Sequence, residues 1–158
     1  MSRVTRGLLA GVAAGAAGTT ALNAVTYLDM ALRGRPASDS PEQTVEKLSD
    51  ATGVAVPGDN QTRANRVAGL GPLTGLLAGV GTGAVLGLLR AAGAQPGVAI
   101  GSLGATVGAM AAGTVPMAAL GITDPRTWTA EAWVSDLVPH LAYGAVTVAV
   151  LHHLYGSG

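Results

Sequence analysis

The sequence predicts an all-α membrane protein, a bundle of about four transmembrane helices with glycine-stepped packing faces and one short amphipathic helix in the first loop. Three observations predict it. Charged residues make up 11% of the 158 residues and hydrophobic ones 49%, and the charged share is less than half the roughly 25% usual in soluble domains. The nine basic and nine acidic side chains sit in four places (Arg3 with Arg6, residues 29–66, Arg90 alone, residues 124–136), leaving charge-free runs at 7–28, 67–89, 91–123 and 137–158. A bilayer core takes roughly 20 apolar residues per helix, a length that soluble helices seldom reach without a charge. Finally, Gly71, Gly75, Gly79, Gly83 and Gly87 follow one another at intervals of four. Lipid gives apolar helices no hydrophobic reason to associate, so small residues four apart mark faces where backbones approach.

These runs place spans at about 7–32, 67–89, 96–121 and 136–155 in a single membrane domain, 1–158, with a polar loop segment at 33–66. The first run follows Arg3 and Arg6 as a signal peptide would, but its apolar stretch outlasts a 7–15-residue h-region, so a retained span is expected. In the loop, Ser40-Pro41-Glu42-Gln43 reads as a helix start, with Ser40 accepting from the Gln43 amide. The helix is expected to end at Gly53, where a left-handed backbone is cheap. Val45 and Leu48 give it a narrow apolar face, suited to lying on the bundle or the membrane surface. Residues 91–95 are too few to do more than turn spans two and three into an antiparallel hairpin. Asp124-Pro125 suggests a short interfacial helix carrying Trp128 and Trp133, an aromatic belt beside span four. Gly7, Gly11 and Gly15 repeat the four-residue step in span one, and Gly97, Gly101, Gly104 and Gly108 run close to it in span three. The string GLLAGV occurs at 7–12 and again at 75–80 and reads as low complexity.

Composition excludes several functions. Without cysteine there is no disulfide and no thiolate metal site. One lysine, Lys47, and zero net charge give nucleic acid no electrostatic footprint. His152-His153 has no metal-ligand companions, and Gly81-Thr82-Gly83 with Gly87 has no preceding strand to make a dinucleotide loop. No nucleophile elbow is present. No cofactor is expected, and a membrane-embedded enzyme stands as the third and least favoured reading.

The polar residues inside the spans are the candidates for chemistry. Asp136, His140, Tyr143 and Thr147 are spaced four, three and four, so they share one face of span four. Ionisable groups within a span are costly and by default functional, typically moving protons or ions. The competing reading makes Ser135 or Asp136 a helix cap at the membrane surface and Tyr143 a packed aromatic. Pro139 leaves the Ser135 carbonyl without its helical partner in either case. Asn23, the one amide within a span, is expected to bond across to another helix, with a ligand role as the alternative. In span three, Pro116 frees the Ala112 carbonyl, and Thr114 is placed to compensate.

Residues 7–35, the stretch PASDSPEQTVEKLSD at 36–50 and GITDPRTWTAEAWVSDLVPHLAYG at 121–144 resemble a group of uncharacterised small actinobacterial multi-pass membrane proteins. More distantly, the glycine-stepped first span and its Arg- and Pro-containing loop resemble the YagU-like inner-membrane family. The resemblance implies a multi-pass protein of a bacterial inner membrane and no defined reaction. The expected partners are the lipid bilayer and, through the glycine faces, a second copy or another membrane protein. The leading expectation is a structural or accessory helix-packing protein; the alternative is a small oligomeric channel or transporter using the Asp136/His140 face. Six of the nine basic residues lie in loops one and three, a count that puts 33–66 in the cytoplasm and both termini outside.

Overall fold

A computed structural model describes residues 1–156. Five α-helices follow in order: α1 (Arg3–Arg33), α2 (Ser40–Thr52), α3 (Asn60–Ala91), α4 (Val98–Ala119) and α5 (Ala130–Gly156), with a 3₁₀ turn (Pro125–Thr127) before α5. Four of them, all but α2, are long and apolar enough to cross a membrane.

Each boundary has a local cause. The Ser2 hydroxyl accepts from the Thr5 amide (3.1 Å) to open α1, which closes at Gly34 with φ 64°. Helix α2 keeps Pro41 in its first turn and ends at Gly53 (φ 70°), but its N-cap is Asp39, with no capping side-chain bond. Ser40 is already helical, and its own amide donates to the Ser38 hydroxyl (3.2 Å), so the expected capping box does not form. Helix α3 starts at Asn60, two turns before the apolar run, because the Asp59 carboxylate accepts from the Thr62 amide (2.8 Å). That bond holds the Asp59 carboxyl below its ordinary range. The expected interfacial helix is reduced to the 3₁₀ turn, where Asp124 accepts from the Arg126 amide and pairs with the Arg126 guanidinium (2.9 Å). Trp128 follows the turn and Trp133 lies within α5, their ring centroids 4.9 Å apart. Helix α4 continues through Pro116 to Ala119 with no bond from Thr114.

The contacts define an antiparallel ring. Helix α1 packs on α3 and α5, α4 on α5 and less extensively on α3, and α2 lies on α3. Arg33 pairs with Glu131 at one end of α1, and Arg6 stacks over Tyr155 (5.4 Å) at the other. Both described termini and the α3–α4 link therefore share an end, opposite α2.

The interior inverts the soluble pattern. The buried apolar residues are mostly small or single, among them Ala10, Ala14, Ala105 and Ala109, while Leu9, Leu77, Ile100 and Leu103 face outward, each more than half exposed. Such a surface suits lipid contact.

The seam between α1 and α3 explains the small interior. A methyl at Gly7 would stand 2.5 Å from the Gly87 carbonyl oxygen, one at Gly15 2.8 Å from the Gly79 oxygen, and one at Gly83 2.6 Å from the Gly15 nitrogen. These neighbours are backbone and cannot rotate away. Below Gly79 the helices part. Gly75 meets nothing within 4 Å, and at Gly71 the neighbour is α2, through Pro41 and Glu42 (3.1 Å). Equal spacing in the sequence thus covers three environments. The two GLLAGV copies are likewise not equivalent, since Gly7 is packed and Gly75 open.

These contacts set opposite expectations along one glycine row. Gly83→Ala should lower the melting temperature in detergent sharply, because neither backbone can yield. Gly75→Ala should leave it unchanged or raise it, since removing an interior glycine is worth roughly 0.5–1 kcal/mol in a helix. Thermal unfolding of the two variants checks this, and equal losses would show that the seam is not where the backbones lie.

Candidate functional site

Where α1 and α3 part, α5 fills the opening with polar side chains. Glu131 opposes Arg33 at one end of α5, and His152 lies beside Arg90 at the other. The 21 residue steps from Glu131 to His152 rise about 32 Å, close to the thickness of a bilayer core. Tyr143 stands near the middle, and Asp136 about five residues in from the α2 end.

Asp136 does not cap α5. The helix begins at Ala130, and the Thr129 hydroxyl accepts from the Ala132 amide (3.2 Å), so the capping role belongs to Thr129. Ser135 is also inside the helix and takes a bond from Arg33 (3.0 Å). Asp136 is left as a carboxylate in the second turn, its side chain 28% exposed. Its Oδ1 lies 3.5 Å from His140 Nδ1, and its Oδ2 is buried with no hydrogen-bond partner.

The His140 ring is held by the same turn. Nδ1 stands 2.7 Å from the Asp136 carbonyl oxygen. A carbonyl only accepts, so Nδ1 carries hydrogen, and Nε2 is the free acceptor of the neutral ring. Protonation at Nε2 would place an imidazolium one turn from a carboxylate. Pro139 lies between the two, so the Ser135 carbonyl has no α5 amide to bond.

Further in, Tyr143 and Thr147 are fully buried. The Tyr143 hydroxyl donates to the Gly79 carbonyl (2.6 Å), tying α5 to α3 at the last glycine of the seam. Its ring is cradled by Gly18 and Gly79, where a methyl at Gly18 would meet it at 2.9 Å. Thr147 Oγ1 has no hydrogen-bond partner. On α4, Thr106 donates to the backbone of Ser102 (2.9 Å) and His140 (3.2 Å), and Gly144 is the point where α4 comes closest to α5. Beyond Thr147 the interior is apolar, with Leu151, Ala10 and Ala14 packed by Leu86.

No family model, curated protein or solved structure matches the chain. The site therefore stands on its own geometry. Of the residues singled out in the sequence, the structure aligns Asp136, His140, Tyr143 and Thr147 in one column. Asn23 is apart from it: half-buried, it makes no side-chain hydrogen bond to another helix, so the expected interhelical bond is absent. Gly79, Gly83 and Gly87 are buried, the first beneath Tyr143 and the others against α1, whereas Gly71 serves α2 and Gly75 is open. Sequence reading passed over Gly18, Thr106 and Gly144, which shape the column. Single small residues in a glycine-rich chain carry no spacing signal; the one available clue was that Gly144 adjoins Tyr143. Among the described residues, no group of three or more His, Asp or Glu side chains is placed to hold a metal ion.

The Tyr143–Gly79 bond should be measurable. Tyr143→Phe keeps the ring in its cradle and removes only the donor, so it should cost roughly 0.5–2 kcal/mol. Gly18→Ala, which drives a methyl into the Tyr143 ring and the Thr147 hydroxyl, should cost more. Reversible unfolding in detergent ranks the two, and the reverse order would contradict the cradle.

Proposed function

We propose that this multi-pass protein belongs to a bacterial inner membrane and carries, at Asp136 and His140, a proton-exchange site of a small channel or proton-coupled carrier. The position of Asp136 carries the reading. A carboxylate within a span costs several kilocalories unless it is paired, and it is retained where it works. Capping, the structural role that would account for it, is taken by Thr129. One oxygen close to His140 and one without a partner leave the carboxylate able to accept a proton.

The column is one-sided. Polar groups run from Asp136 to Thr147, and the half nearer the termini is closed by Leu151, Leu86 and alanines. A proton entering from the α2 end can be taken up by Asp136 or by His140 Nε2, and Tyr143 and Thr147 lie beyond them at the midplane. Onward passage requires the apolar half to open, as in alternating access.

The accessory-protein reading loses its main support, because the glycines of the α1–α3 seam are occupied within the chain. It keeps one observation in its favour. Gly81, Gly104 and Gly108 line an open apolar groove between α3 and α4 with Leu77 and Val85, a surface of the kind that receives a second helix. The sequence resemblance to small actinobacterial membrane proteins is part of this reading and adds no reaction to it.

Reconstitution in vesicles with an internal pH-sensitive dye tests the proposal. The wild-type protein should dissipate an imposed pH gradient, and Asp136→Asn and His140→Ala should each reduce the rate at least tenfold while the melting temperature stays near wild type. Arg126→Gln, in the exposed loop, should leave the rate unchanged. Undiminished flux in Asp136→Asn, or none in the wild type, would overturn it.

A further inference from the structure

The two ends of the bundle differ in charge. All nine side-chain carboxylates lie between Asp29 and Asp136 and fall at the α2 end, where six basic residues accompany them, for a net charge of −3. Four of those six are ion-paired: Arg33 with Asp29 and Glu131, Arg35 with Asp29, Arg63 with Glu46, and Arg126 with Asp124. The opposite end holds Arg3, Arg6 and Arg90 with no side-chain carboxylate, for a net charge of +3.

At that end Arg6 and Arg90 meet neutral partners. The Arg6 guanidinium stacks on the Tyr155 ring (5.4 Å), and Arg90 donates to His152 Nδ1 (3.4 Å). Neither contact neutralises the charge, and each leaves most guanidinium N–H groups unused. The two arginines flank one seam. The residues beside them, Gly7 and Ala91, touch so closely that a methyl at Gly7 would lie 2.8 Å from the Ala91 methyl. Just inside, Leu8, Leu88 and Leu89 are exposed on the outer surface.

We propose that this end of the bundle binds the phosphate of an anionic phospholipid between α1, α3 and α5. Arg6 and Arg90 form the headgroup cradle, and the acyl chains lie along Leu8, Leu88 and Leu89. Guanidinium forks match phosphate oxygens in pairs. Basic groups converging from neighbouring spans at the headgroup level are the usual means of holding such lipids. The apolar flank directly inside the arginines favours a lipid over a free anion. Arg6 held by Tyr155 and Arg90 by His152 are already oriented, which lowers the entropy lost on binding.

The probe is dioleoylphosphatidylglycerol, titrated into the purified protein in dodecylmaltoside while thermal unfolding is followed. The melting temperature should rise saturably with this lipid and not with dioleoylphosphatidylcholine or inorganic phosphate. Each arginine is worth about 5-fold in affinity for an anionic surface, so Arg6→Gln with Arg90→Gln should weaken the midpoint about 25-fold. Arg6→Lys with Arg90→Lys should retain most of the binding. If the double glutamine variant does not fold, Arg90→Gln alone should show about a 5-fold loss. Arg126→Gln, at the far end, should bind like wild type. An equal response to phosphatidylcholine, an equal response to phosphate alone, or an unweakened midpoint in the glutamine variants would each overturn the site.

Discussion

The approach of α1 to α3 at a distance no side chain tolerates shapes the rest of the bundle. From Gly7 against Gly87 to Gly15 against Gly79, carbonyl oxygens and Cα atoms of one helix occupy the space where the other would carry a methyl. Dispersion and weak Cα–H···O contacts replace a hydrophobic drive that lipid cannot supply. With backbones this close, the interior has no room for leucine-sized groups along the seam. They turn outward, and the buried positions fall to Gly, Ala and Thr. The same constraint makes the core rich in hydroxyls, because threonine is among the few polar residues small enough to stay inside and can bond its own helix. Thr19 to Gly15 and Thr106 to Ser102, at 2.8 and 2.9 Å, are such bonds.

The polar column begins where the seam stops. Tyr143, the one large side chain fully buried among the described residues, is admitted at the level where α1 and α3 begin to diverge, and its hydroxyl finishes the seam by bonding Gly79. Toward the α2 end there is then room for an imidazole and a carboxylate; beyond Thr147, toward the termini, the helices remain in contact and the interior is apolar. The closed half of the column and the tight half of the seam have one cause. A substitution that loosened the seam near Gly83 or Gly87 would therefore act on the closed half as well as on stability.

Much of this was legible in the sequence, and the failures have identifiable causes. Charge-free length located four spans, because the bilayer imposes that length whatever the packing. The ends were displaced wherever a single cap decided them: Asp59 extends α3 back to Asn60, and Thr129 starts α5 at Ala130. The second displacement changed the chemistry, since it turned Asp136 from a possible cap into a half-buried carboxylate inside the helix. Periodicity placed Asp136, His140, Tyr143 and Thr147 on one face correctly, because face membership follows from helix geometry alone. It does not say what stands opposite. Gly71, Gly75 and Gly79 are indistinguishable by spacing, yet they meet α2, open space and α1 with α5 in turn. Asn23 failed for the same reason, as no partner on a neighbouring helix reaches it.

Charge and shape are asymmetric along the same axis. Asp136 lies toward the end with net charge −3, which also holds Asp29 and Glu131, and the apolar packing lies toward the end with net charge +3. A negative rim raises the local concentration of protons and small cations, and low-dielectric walls extend its field inward. Arg33 and Arg35, paired there with Asp29 and Glu131, moderate the field without reversing it, since carboxylates outnumber cations at that end. At the opposite end, uncompensated guanidinium groups would repel a cation leaving by that route. An anionic headgroup seated on Arg6 and Arg90 would remove this barrier. The proposed proton site and lipid site rest on separate residues, yet electrostatics would couple them: a lipid that neutralised the closed end would make outward passage less unfavourable, while Asp136 and His140 would govern entry.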